Sequence, residues 1–186
     1  MDRKKFLLVL SSLPFLNIPF KAAGNTNYPF FTEACKTQKD QEGPFYKEHA
    51  QQRNVIETDG ISLTIEGKVV KGDDCSTPVA NAIVDIWHCD NKGEYDMQGY
   101  KCRGYVVTDA NGNYSFASIF PPPYDGRPRH IHVKVRAQGY PELTTQIYFQ
   151  GDANIKNDFA KNAEKTRVIA LTDQKHGKKG KFDIYL

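Results

Sequence analysis

No stretch of this 186-residue chain is apolar for long enough to cross a bilayer comfortably. The longest apolar run, Phe6 to Phe20, is about fifteen residues where a spanning helix needs about 20, and Pro14, Asn17 and Pro19 interrupt it. Net charge is scarce as well. The formal +3 is carried by Arg3, Lys4, Lys5 and Lys21 against Asp2, so the chain beyond residue 23 is near neutral and nothing in it suits a nucleic acid. Repeats and low-complexity tracts are absent, and the four cysteines do not have the spacing of a zinc ribbon.

What the N-terminus does have is the pattern of an export signal over residues 1–24. Basic residues precede the apolar run, and Ala22, Ala23 and Gly24 follow it. No cysteine stands at that small-residue end, so a lipid anchor has no support, whereas an uncleaved membrane anchor stays open as the alternative. Residues 25–186 are expected to form one exported domain, periplasmic or secreted, without stable membrane association once the signal is removed.

Cys35, Cys75, Cys89 and Cys102 all lie in that exported part, where oxidation is possible. A strand over 82–87 would hold Cys75 and Cys89 roughly 20 Å apart, beyond the ~4.4–6.8 Å that a disulfide tolerates. The pairing leans to Cys35–Cys75 with Cys89–Cys102, against the alternative that some of these cysteines are free buried thiols.

Short runs with period-two alternation recur along the chain. Strands are expected over 61–70, 82–87, 102–108, 113–119, 130–135, 144–149, 168–171 and 181–186. Asp109-Ala110-Asn111-Gly112 is a hairpin signal, because Asn-Gly tolerates positive φ. One helix is expected over 157–166. The fold class is therefore all-β, a single β-sandwich with a few short helices.

The stretch PPPYDGRPRHIHVKV, Pro121 to Val135, organises the rest. Residues two apart on a strand share a face, so His130 and His132 converge as metal ligands do. Tyr124 and Arg127 lie in the proline-rich loop just before them. Tyr100, Tyr105, Tyr114 and Tyr140 are other available phenols, but only Tyr124 sits in the loop that feeds this strand. A second segment, AIVDIWHCDNKGEY, is a strand ending in a loop that carries Tyr95. Two histidines on a strand can equally be structural.

These residues resemble the intradiol ring-cleavage dioxygenases. The resemblance rests on Trp87, on Gly93-Glu94-Tyr95 eight residues after it, on Tyr124, and on Arg127-Pro128-Arg129-His130-Ile131-His132. Two flanking pieces agree, Glu42-Gly43-Pro44-Phe45-Tyr46 and Thr145-Gln146-Ile147-Tyr148-Phe149. It implies a β-sandwich with its site in loops at one edge. It also implies non-haem Fe(III) held by Tyr95, Tyr124, His130 and His132, with Tyr124 the tyrosinate that leaves when substrate binds.

By the same resemblance, Arg127 and Gln146 stabilise charge developing on the substrate, and Pro44, Phe45 and Tyr46 line its ring. The implied reaction opens a small catechol-type diol with O2 between its hydroxylated carbons, giving a cis,cis-muconate-type product. Hard ferric iron suits anionic oxygen donors, which agrees with a two-phenol, two-imidazole set. Arg129 would favour a carboxylated catechol if it pointed inward, and would be solvated surface if outward. The oligomeric state is open. The competing reading is an exported, non-catalytic ligand- or carbohydrate-binding sandwich with a vestigial metal site.

Overall fold

Among the described residues, ten strands form two five-stranded sheets that face one another across an apolar layer. The structure, a computed structural model, describes residues 35–186, so the export segment expected over 1–24 lies outside the described residues. In the first sheet, β1 (Ser62–Val70) is central. It pairs antiparallel with β4 (Asn113–Ile119) and parallel with β9 (Gly177–Lys181) and β10 (Ile184–Tyr185), and β8 (Leu171–Gln174) adds to β9. The second sheet has the order β3 (Arg103–Val107), β2 (Ile83–Trp87), β5 (His130–Arg136), β6 (Leu143–Phe149) and β7 (Val168–Ile169).

Alternation decides what faces the layer between the sheets. Leu63, Ile65 and Val69 of β1 meet Val84 and Ile86 of β2 and Ile131, Val133 and Val135 of β5 there. The opposite residues of β5, His130, His132 and Lys134, are buried too, so this strand is covered on both faces rather than half-buried. The cover comes from residues 38–46. The amide of Asp40 donates to Thr144 O (2.9 Å), and the Gln146 amide group donates to Gln41 O (2.8 Å). The two histidines therefore lie on the outer face of the second sheet, under loops, at the end where β2 finishes and β5 begins.

Three expectations need correction. The Asp109–Gly112 turn exists, with Gly112 at φ 72°, but β3 and β4 enter different sheets and form no hairpin ladder. Thr108 explains the divergence. Its hydroxyl bonds Val79 O and the Ala82 amide (both 2.8 Å), which keeps β3 beside β2. The expected helix over 157–166 is instead a run of 3-10 turns, Ala153–Asn157, Phe159–Asn162 and Lys165–Arg167. Asp152 and Asp158 each accept from the amide two residues on, restarting the backbone before an α-helix can propagate.

The cysteines divide. Cys35 and Cys75 are bonded, with Cα atoms 5.8 Å apart, whereas Cys89 and Cys102 are free and buried. Cys102 follows the ladder opposite His88 and turns its thiol to Glu57 (3.6 Å), while Cys89 packs with Trp87 and Tyr95 on the other face. The sheet separates the two thiols, and burial pushes their pKa values up to about 11 and about 12. Because the Cys35–Cys75 link spans 40 residues, Cys75→Ser is expected to cost about 2–4 kcal/mol, measured by urea denaturation.

His88 ties the two sheets together. Its Nδ1–H donates to Cys89 O, and its Nε2 accepts from the Ser118 hydroxyl, both at 2.7 Å. Burial lowers its pKa to about 4. The unfolded chain therefore binds a proton that the folded one refuses between about pH 6.5 and 4. Stability is full above that window and falls as the pH drops through it, by about 2–3 kcal/mol from this residue alone. Denaturation of wild type and His88→Gln at pH 7 and pH 4.5 measures it, and the variant is expected to lose the smaller increment.

Candidate metal centre

Register places the site. Arg103, Trp87, His132 and Gln146 are direct cross-strand partners in one row over the outer face of the second sheet, and His130 and Tyr148 occupy the next row. Trp87 stacks flat on His132, with centroids 4.8 Å apart and planes 8° apart, so the imidazole is clamped on that side. Gly43, at φ 73°, lets the 38–46 segment pass close over the His132 ring; a Cβ there would lie 3.5 Å from it.

Two loops bring the phenols. After β2, Asp90 accepts from the amides of Lys92 and Glu94, and Gly93 adopts φ 80°, a tight turn that delivers Tyr95. Before β5, Asp125 (φ 46°) and Gly126 (φ 74°) form a two-residue turn closed by the Arg127 amide donating to Tyr124 O at 2.8 Å. Positive φ at both central positions is the type I′ pattern that Asp-Gly favours. Tyr124 and Arg127 thus become neighbours across a turn.

Tyr95, His130 and His132 meet directly, and Tyr124 joins them through its contact with the Tyr95 ring. Tyr95 Oη lies 3.3 Å from His130 Nε2, the two imidazole centroids are 4.9 Å apart, and the tyrosine rings meet edge to face at 5.1 Å. His130 Nδ1 donates to Pro128 O (2.7 Å), and a carbonyl can only accept, so the Nε2 lone pair faces Tyr95. Burial holds the His130 pKa down at about 4 and the His132 pKa well below its ordinary value. Both rings are neutral near pH 7, the form that ligates metals.

The donor set passes a test of fit to iron. His132 Nδ1 is buried without a hydrogen-bond partner, an arrangement that leaves this ring available for coordination rather than tied into the protein. Among the described residues no group of three or more His, Cys, Asp or Glu could hold a metal, so an ion at the paired imidazoles would need the phenols as further donors. Burial first, and the neighbouring Cys89 thiol after it, raise the Tyr95 pKa far above that of a free phenol, a penalty that a trivalent ion would reverse.

Arg127 reaches the same place. Its Nη1 is 3.4 Å from His130 Nε2, and its Nη2 donates to Gln146 Oε1 and Tyr148 Oη, each at 3.3 Å. Burial pulls its pKa down, but Asp158 and Tyr148 outweigh that and hold it above the ordinary value. Gln146 is fully buried, its amide group bound to Gln41 O, so it meets the centre through Arg127 rather than directly.

The three residues expected to line the ring part company. Phe45 stacks on Tyr95 (4.1 Å, 10°) and meets Tyr124 edge-on (5.5 Å), a wall beside both phenols. Pro44 is exposed. Tyr46 turns away: its hydroxyl is held by Asp85 (3.1 Å) and Arg136 (2.9 Å), its ring lies on Trp87, and the Lys134 ammonium sits 3.7 Å over it. Arg129 points outward to Asp152 (3.2 Å) and does not enter the site. Behind Arg127, the Tyr148 hydroxyl donates to Asp40 (3.0 Å), and neither this pair nor Asp158 is singled out for a role by the sequence. Asp158 and Arg127 are 31 residues apart, and no local pattern links them.

A family model described as Dioxygenase matches residues 38–186. Chlorocatechol 1,2-dioxygenase of Rhodococcus opacus is 31% identical over 163 residues, 70% of this chain and 63% of the relative. Catechol 1,2-dioxygenase 2 of Acinetobacter lwoffii is 36% identical over 124 residues, 54% and 44%. The chain thus spans less than two thirds of the length of these curated relatives. The dioxygenase domain of a dioxygenase carbohydrate-binding protein fusion from Streptomyces sp. SirexAA-E superposes with TM-score 0.76 at 35% identity, over 81% of this chain and 97% of that domain. With the two-sheet sandwich, the paired phenols and the paired imidazoles in place, the chain belongs to the intradiol ring-cleavage dioxygenase family.

Proposed function

We propose that this protein opens catechol-type aromatic diols between their hydroxylated carbons with O2, yielding a cis,cis-muconate-type product. The observation that carries the reading is the approach of Tyr95 to the paired His130 and His132, with Tyr124 edge-on against Tyr95 and Arg127 beside His130. Tyr95, Tyr124, His130 and His132 would hold one non-haem Fe(III). Bound there, the ion supplies Lewis acidity toward the diol oxygens and a path for electron density from the ring to O2.

The remaining roles belong to the chain. Tyr124, at the head of the Asp125-Gly126 turn, takes a proton from a diol hydroxyl onto its phenolate oxygen. Tyr95, buried under Phe45, stays in place. Arg127 Nη1 stabilises negative charge on the substrate in a site largely closed to water, where one donor is worth several kcal/mol. Phe45 supplies an apolar face for the aromatic ring. The Cys35–Cys75 disulfide and the export-type N-terminus support an oxidising compartment outside the cytoplasm.

Iron-loaded protein incubated with catechol, hydroxyquinol, protocatechuate and chlorocatechol tests the reading through O2 uptake and the absorbance of the opened product. Intradiol product from at least one is expected. Extradiol product would overturn the intradiol reading, and binding without any turnover would overturn it in favour of the non-catalytic alternative.

A further inference from the structure

The 3-10 segment 152–162 grips the Arg127-Pro128-Arg129 tripeptide at two points in the same way. Asp152 begins one turn by accepting from the Asn154 amide (2.9 Å), and also accepts from the Arg129 amide (2.9 Å) and Nη1 (3.2 Å). Asp158 begins the next by accepting from the Ala160 amide (2.8 Å), and takes Arg127 Nε (3.1 Å) and Nη2 (3.3 Å) on its two carboxylate oxygens. Phe159 closes over the guanidinium, 4.1 Å from Cζ.

We infer that Asp158 is a positioning residue that sets which edge of Arg127 meets the substrate. A guanidinium offers five donors in a rigid fork, and a carboxylate bound side-on through Nε and Nη2 fixes its plane. Nη2 is further held by Gln146 and Tyr148, so Nη1, 3.4 Å from His130 Nε2, is the edge turned to the centre. Without Asp158 the same charge would remain, held only through Nη2 by Gln146 and Tyr148, and its plane would turn about that one nitrogen. The inference rests on the proposed ring-cleavage reading only for its kinetic consequence.

Asp158→Asn keeps the turn, because an amide oxygen can still accept from Ala160, but loses the charged side-on pair. It is expected to lower kcat/KM about tenfold to a hundredfold, mostly in kcat, with thermal midpoint and iron content unchanged. In an Arg127→Lys background the same change is expected to add little. Asp152→Asn, which frees only the outward Arg129, is expected to stay within about threefold of wild type.

Nitrogen-15 NMR of the arginine Nε–H supplies a readout independent of turnover. The Arg127 signal, identified by its loss in Arg127→Lys, is expected to be resolved and slow to exchange in wild type, and fast in Asp158→Asn. Rates within twofold of wild type for Asp158→Asn, equal losses for Asp152→Asn, or rapid exchange of the wild-type Arg127 Nε–H would each overturn the assignment. Should wild type open no catechol, the reading of the site falls, and the Nε–H signal alone still decides the grip of Asp158.

Discussion

Tyr95→Phe is expected to reduce ring cleavage by about a thousandfold or more and to leave the protein with much less than one tightly held iron. The substitution removes one oxygen and leaves the rest of the ring, so Phe45 keeps its stacking partner at 4.1 Å and the fold is spared. What disappears is the donor 3.3 Å from His130 Nε2. Three ligands, one of them on the Tyr124 turn, would remain. If that turn moves when substrate binds, iron in the variant would have only the two imidazoles during turnover. Tyr124→Phe is accordingly expected to retain more iron than Tyr95→Phe while losing comparable rate. Iron content after dialysis and single-turnover rates separate the two.

Arg127→Lys is expected to lower kcat by about a hundredfold to a thousandfold with a smaller change in KM. Lysine keeps the charge but cannot make the side-on pair with Asp158 while presenting a further donor toward His130. A loss confined to KM would mean that Arg127 only holds substrate. Steady-state kinetics on whichever diol turns over fastest checks it.

Much of this was legible in the sequence, and the reasons are local. The alternation in HIHVKV sets His130 and His132 on one face whatever lies above them, and the β-branched run ending at Trp87 delivers Tyr95 through the turn at Gly93. Covering was not legible. Burial of the outer face of β5 depends on residues 38–46, some ninety residues earlier, whose sequence is polar and loop-like. For the same reason Tyr46 reads as a pocket residue until Asp85 and Arg136, from two different strands, are seen to claim its hydroxyl.

The misplaced elements have equally physical causes. β8 and β9 carry Lys178, Lys179 and Lys181 and little apolar alternation, so the last hairpin escapes pattern reading. Asn157–Thr166 has helix-forming composition, but the cap at Asp158 stops the helix. Cys89 and Cys102 are near in the ladder yet separated by the sheet itself, which spacing alone does not reveal.

The most direct measurement is the visible spectrum of iron-loaded protein beside its metal content. One iron per chain with the red-brown absorption of tyrosinate-to-Fe(III) charge transfer, altered in both Tyr95→Phe and Tyr124→Phe, is the expected result. A colourless protein carrying stoichiometric ferric iron, with neither phenol substitution changing it, would contradict the four-ligand centre.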